Sequence, residues 1–78
     1  MGMTTGEYLK LKREKTKLSQ GDLAKLLGYK TSQFVSNMER NISLPPKEIV
    51  DKLCLHLNIK KKELVNKILN DIAKDYFK

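Results

Sequence analysis

The chain is 78 residues long, enough for one domain that buries only about 60 to 65% of the surface its unfolded form exposes. A single cysteine, Cys54, excludes an internal disulfide, and with the one histidine, His56, it falls short of the ligand set of a structural zinc site, so neither a metal nor another cofactor is expected. Sixteen Lys and Arg against nine Asp and Glu leave a net charge of +7 and a pI of about 9.6, which makes a polyanion the first partner to consider.

No repeat, low-complexity tract or linker interrupts the chain, and β-branched alternation is nearly absent, so the pattern predicts helices throughout. The first should begin near "TTGE", where Thr4 and Glu7 have capping-box spacing, and run to about Lys15 with Tyr8, Leu9 and Leu11 facing inward. "LSQGDLAKLLG" predicts the second, with Ser19 as N-cap, Asp22 three residues on, and Gly28 free to take a positive φ at the end. The third runs from about Ser32 to Glu39. "ISLPPKEIVDKLCLHLN" supplies a loop and then the fourth, with Pro46 near its first position and Ile49, Val50, Leu53, Cys54 and Leu57 as its inner stripe. Asn58 is its expected stop, and a fifth helix spans about Lys61 to Tyr76.

The third helix has an unusual content. Advancing about 100° per residue from Ser32 at zero places Ser36 near 40°, Arg40 near 80°, Gln33 near 100° and Asn37 near 140°. Phe34, Val35 and Met38 fall between about 200° and 300°. The helix can therefore dock one side in a core and present a continuous polar strip on the other. A merely solvated face would favour better helix formers such as Lys and Glu. Amides and hydroxyls suit a surface that reads hydrogen bonds: Gln and Asn can bond adenine N6 and N7 together, and Ser and Thr adapt to several base edges or to phosphate.

The stretch "LSQGDLAKLLGYKTSQFVSNMERN" resembles the helix-turn-helix of the lambda repressor and Cro-like superfamily, through Leu18, Ser19, Gln20, Leu23, Ala24, Gly28, Val35, Met38 and Glu39, followed by a Pro-initiated helix four. The resemblance covers about residues 7 to 64. It implies an all-α fold, a compact five-helix bundle forming a single helix-turn-helix domain over 1–78, with the motif at about 19–39 and the third helix entering the major groove of double-stranded DNA. Ala24 is small where the second and third helices cross, and Gly28 permits the sharp turn. Two departures stand out. Seven steps separate Gly28 from Val35 where the family most often has six, so the reading register is defined to within about one position. Asn41 stands where a glycine commonly follows the third helix, and Asn is the next residue most willing to turn left-handed.

Carried over by position, Gln20 should bond a phosphate and brace the first reader, at a helix N-terminus that attracts anions. Gln33, Ser32, Asn37 and Ser36 become the base readers, Gln33 first among them. Lys30, Thr31 and Arg40, with backbone N–H groups near Asn41, would hold the sugar-phosphate chain. Lys17, ahead of the second helix, is a weaker candidate. The resemblance also implies a structural ion pair between Arg13 and Glu39.

In the fifth helix, Leu64, Val65, Ile68, Leu69, Ile72, Ala73, Tyr76 and Phe77 repeat in doublets every four residues, which spirals the apolar surface over roughly 220°. A small core covers Leu64, Val65 and Ile68. Leu69, Ile72, Tyr76 and Phe77, at the end of a C-terminal helix of about 61–77, are the expected dimer interface. A symmetric homodimer would set two recognition helices roughly 34 Å apart on a near-palindromic operator.

The remaining features are bland. His56 has no acidic or nucleophilic companion, Cys54 reads as a small core residue, and "KKKE" at 60–63 as a solvated helix entrance. No acid–base pair or Gly-rich phosphate loop points to an enzyme. No apolar run approaches the roughly 20 residues of a membrane span, the first ten residues lack a signal-peptide core, and Gly6 breaks the myristoylation pattern, so the expected place is the cytoplasm, associated with the nucleoid, for a bacterial or phage-encoded protein. The expectation is thus a transcriptional repressor of phage or mobile-element type. The alternatives are an antitoxin whose fifth helix binds a toxin, or an interaction module that keeps the fold without touching DNA.

Overall fold

Chemistry at the helix ends sets the frame. In the computed structural model, which describes residues 2–76, α1 (Thr5–Lys15) and α2 (Gln20–Leu27) each open on a complete capping box. Thr4 Oγ1 accepts from the Glu7 N–H at 3.2 Å while the Glu7 carboxylate accepts from the Thr4 N–H at 3.0 Å, and Ser19 and Asp22 repeat the exchange at 2.9 and 3.0 Å. Then follow α3 (Gln33–Glu39), α4 (Lys47–Leu57) and α5 (Lys61–Tyr76). The family-type bundle expected from the sequence is present, all-α with five helices among the described residues. Ser32 precedes α3 rather than opening it. Pro46 likewise stands one residue outside α4, as its N-cap: ψ of 150° keeps it extended, and its carbonyl accepts the Ile49 N–H at 3.1 Å.

The first four helices end alike, each followed by a left-handed residue: Lys17, Gly28, Asn41 and Asn58, at φ of 60°, 90°, 62° and 55°. After α1, α2 and α3, the N–H of that residue and of the next reach back to carbonyls three and five positions earlier, the bonding of a Schellman turn. Gly28, Asn41 and Asn58 meet the sequence expectation; Lys17 does not, and carries the strain of a side chain in a left-handed conformation. In three of the turns the next residue folds against the core. Leu18 and Tyr29 are partly buried and Ile59 is buried, whereas Ile42 is 62% exposed.

Leu9, Leu23, Val35, Met38, Leu53 and Leu64 fill the centre, joined by Ile49, Val50 and Leu57, so that four of the five residues expected inward from α4 are buried; Cys54, the fifth, is half-buried, as is Leu11 of α1. The first turns of α5 close this core through Leu64, with Val65 and Ile68 half-buried against it. Beyond Ile68 the helix leaves the core behind. Leu69, Ile72 and Tyr76 are exposed, and Phe77 lies outside the described residues.

The N-terminus of α1 is a joint for the whole chain. Its first four N–H groups all find acceptors: Thr5 donates to Asp71 Oδ2 of α5 at 2.7 Å, Gly6 to Asn41 Oδ1 at 2.9 Å, Glu7 to Thr4 Oγ1, and Tyr8 to the Thr4 carbonyl at 3.0 Å. Tyr8 also donates its hydroxyl to Glu63 at 2.8 Å, and Lys12 and Lys67 sit 5.5 and 5.3 Å from its ring centroid. Burial and Glu63 push the Tyr8 hydroxyl up to about 12. At Gly6 the backbones of α1 and α3 touch: a Cβ there would lie 2.5 Å from the carbonyl oxygens of both Met38 and Glu39.

Two measurements test this frame. Gly6→Ala forces the two helices apart and should lower unfolding free energy by about 1 to 3 kcal/mol in urea titration, although alanine is the better helix former. The two capping carboxylates supply the pH dependence. Backbone and hydroxyl hydrogen bonds from Thr4 and Ser19 hold Glu7 and Asp22 below their ordinary 4.5 and 3.8. Folded carboxyls that titrate lower stabilise fully above the ordinary values and lose that contribution as pH falls through the folded ones. The urea midpoint should therefore be level above about pH 5 and drop below about pH 4, and Glu7→Gln combined with Asp22→Asn should flatten the drop.

Candidate nucleic-acid interface

The exposed strip of α3 is built from its buried side. Gly28 reverses the chain at the end of α2, and the Tyr29 ring stacks on Phe34 with centroids 4.5 Å apart and planes at 29°. That contact pins the turn so that α3 begins at Gln33. Val35 is wholly buried and Met38 nearly so, with Phe34 partly covered. The opposite face must then point outward. Gln33 and Arg40 are exposed, Ser32, Ser36 and Asn37 are half-covered, and Lys30 and Thr31 stand exposed in the turn. Gln33, Ser36, Asn37 and Arg40 share the face of α3 opposite Val35 and Met38, and Lys30, Thr31 and Ser32 precede it in the turn.

Their side chains also bond to one another. Asn37 Oδ1 accepts from Gln33 Nε2 at 2.9 Å and from Arg40 Nη2 at 3.1 Å, and Thr31 Oγ1 accepts the Gln33 N–H at 3.4 Å. Asn37 thereby holds the Gln33 amide and the Arg40 guanidinium at fixed spacing, with Gln33 Oε1 and its own Nδ2 outside these two bonds.

Behind the strip lies a buried charge cluster. Arg13 Nε donates to Glu39 Oε2 at 2.6 Å and Arg13 Nη2 to Glu39 Oε1 at 3.1 Å, a two-pronged pair whose side chains are 11% and 3% exposed. Arg13 Nη1 donates to the Leu18 carbonyl at 2.9 Å, and Gln20 Nε2 to Glu39 Oε1 at 3.0 Å. Its hydrogen bonds to Glu39 hold the Arg13 guanidinium above its ordinary value, with burial opposing. One carboxylate thus binds α1, α2 and α3 together at the C-terminal end of α3.

Two residues of the expected set take places the sequence does not reveal. Gln20, half-buried at the first turn of α2, turns its amide N–H toward Glu39. Asn41 is a clip: besides accepting from Gly6, it donates Nδ2 to Thr4 Oγ1 at 2.9 Å. The backbone N–H groups of Asn41, Ile42 and Ser43 are taken by the Met38 and Asn37 carbonyls. Lys17 lies in the tight turn before α2, outside the strip. The one sequence signal for the clip is Gly6, a poor helix former placed in a first helical turn.

With this geometry the chain defines its class: a helix-turn-helix family model matches residues 9–64, and the chain belongs to that family, as a DNA-binding transcriptional regulator of the lambda repressor-like type. Among solved structures it is similar to the P22 c2 repressor protein, crystallised in complex with the synthetic operator 9T in the presence of Tl+. The two are 27% identical with a TM-score of 0.74, over 81% of this chain and 94% of that one. A search of curated proteins found no match.

The charge cluster generates a sharp expectation. Glu39→Ala leaves Arg13 desolvated without its partner and should destabilise by about 3 to 5 kcal/mol, whereas Arg13→Met with Glu39→Leu should cost less than Glu39→Ala alone. Chemical denaturation of the variants measures both; a double variant worse than that single one would contradict the account.

Proposed function

We propose that the protein is a repressor that acts as a homodimer on a near-palindromic operator, reading bases through α3. The observation that carries this reading is the outward strip of Gln33, Ser36, Asn37 and Arg40, backed by buried Val35 and Met38 and joined to Lys30, Thr31 and Ser32. In this reading Gln33 is the first base reader, with Asn37, Ser36 and Ser32 beside it. Lys30, Thr31 and Arg40 contact sugar and phosphate, and Gln20 turns from Glu39 toward the phosphate at the α2 N-terminus. Asn41 serves from behind by fixing the end of α3. The operator complex of the P22 c2 repressor supports double-stranded DNA as the partner. A net charge of +7 supplies the long-range attraction.

The dimer is read from α5, where Leu69, Ile72 and Tyr76 are 55%, 39% and 82% exposed, with Phe77 added from the sequence. Two copies joined there would present two α3 helices to half-sites about 34 Å apart. The same reading makes the chain one non-enzymatic domain that works in the cytoplasm of a bacterium, encoded by it or by a phage. No described helix is long and apolar enough to cross a membrane.

Selection of an operator from random duplexes, followed by titration at two salt concentrations, tests the reading. Affinity should fall steeply with salt, and Arg40→Ala should weaken all sequences alike and reduce the logarithmic salt slope by about one per subunit. Gln33→Ala should instead relax preference at one base position of each half-site, costing about 1 to 3 kcal/mol there. Absent or salt-independent binding would count against the proposal, as would equal losses of both variants on selected and random DNA.

A further inference from the structure

The exposed stripe of α5 has an internal symmetry. Val65, Leu69, Ile72 and Tyr76 are separated by four, three and four residues, and they lie within about 60° of one another around the helix. This spacing reads the same in both directions about a point between Leu69 and Ile72. Laid antiparallel on itself about that point, the helix brings Ile72 of one copy against Leu69 of the other, and Tyr76 against Val65. Two-fold pairing of one surface with itself requires this kind of correspondence.

Val65 does not stand alone. It lines a groove between the start of α4 and the first half of α5, with Pro45, Val50 and Ile68 as apolar walls and Lys47 and Lys61 at the rim. Leu69 borders the same groove, so groove and stripe are continuous. An aromatic ring seated there would meet Pro45, Val50, Val65 and Ile68 as apolar contacts.

Charge favours a second copy as the occupant. Two chains of +7 repel over most of their surfaces. Between Glu63 and Lys74, however, α5 has only two charged residues, and both are turned to the N-terminal segment: Lys67 over the Tyr8 ring and beside the Met3 carbonyl, Asp71 on the Thr5 N–H. What this stretch exposes is neutral, Asn66, Leu69, Asn70 and Ile72.

We infer that the homodimer is an antiparallel α5 pair in which Tyr76 of each copy seats in the Pro45–Val50–Val65–Ile68 groove of the other, with Ile72 against Leu69 at the two-fold axis. This rests on the homodimer reading above and specifies its register. The knob and its hole are on opposite ends of one helix, about 16 Å apart, so neither can be satisfied within one chain.

Disulfide trapping in the full chain tests the register. In a Cys54→Ser background, Val65→Cys with Tyr76→Cys should give a covalent dimer under mild oxidation, and peptide mass spectrometry should find position 65 of one copy linked to position 76 of the other. Each single variant should stay reducible to monomer without a self-link. A dimer by sedimentation that shows no 65–76 link, or in which either single variant links to itself, overturns this register and leaves the homodimer standing. An unsubstituted chain that stays monomeric at all concentrations overturns both. Tyr76→Ala, which removes an exposed side chain, should weaken dimerisation about tenfold or more while leaving the unfolding midpoint of the monomer unchanged; an unchanged dimerisation constant would also overturn the inference.

Discussion

The Glu39 carboxylate is the point on which the outward strip of α3 depends. It is a nearly buried charge at the C-terminal end of a helix, where the helix dipole disfavours a negative group, and it persists because three N–H donors from Arg13 and Gln20 converge on its two oxygens. Those donors come from α1 and α2. The end of α3 is therefore fixed by directional bonds to two other helices, where apolar contact alone would allow it to roll about its axis. A roll of one residue step would carry Gln33 and Asn37 out of line, so the buried pair determines which side chains face outward.

Seven residues, four of them (Phe34, Val35, Ser36 and Asn37) middling helix formers, would not hold a helix in isolation, since nucleation is unfavourable and the run is too short to recover its cost. α3 exists as a consequence of tertiary structure. Val35 and Met38 anchor one side, the Tyr29–Phe34 stack sets its start, and Glu39 and the Asn41 turn set its end. This frees the outer side from any structural duty. Its amides and hydroxyls are available for recognition because none of them is needed to keep the helix folded, and the Asn37 bridge arranges them at little conformational cost.

Much of this was legible beforehand because it is local. Capping boxes, the left-handed stops at Gly28, Asn41 and Asn58, and the inward stripe of α4 follow from residue types at fixed short spacings, and the structure has them where the pattern places them. The two faces of α3 followed from helical periodicity. What stayed hidden involves contacts between distant residues. That Gln20 faces Glu39, that Asn41 reaches back to Gly6 and Thr4, and that Asp71 accepts from Thr5 depend on how helices are placed, and no spacing rule spans 35 or 66 positions. Lys17 in a left-handed turn was missed for another reason: the turn is imposed by the α1–α2 connection against the residue's own preference. Resemblance, rather than chemistry, named the Arg13 and Glu39 pair, whose two side chains the structure brings together.

The N-terminus of α1 draws two of its first four acceptors from the far end of α3 and from α5. A helix finished by residues that are made much later cannot reach its final stability while the chain is still being synthesised. The first turn stays incompletely bonded until Asp71 has emerged and docked, so the earliest segment to appear is among the last to be secured. A product cut short before Asp71 would leave the Thr5 N–H without this acceptor while Gly6, Glu7 and Tyr8 keep theirs.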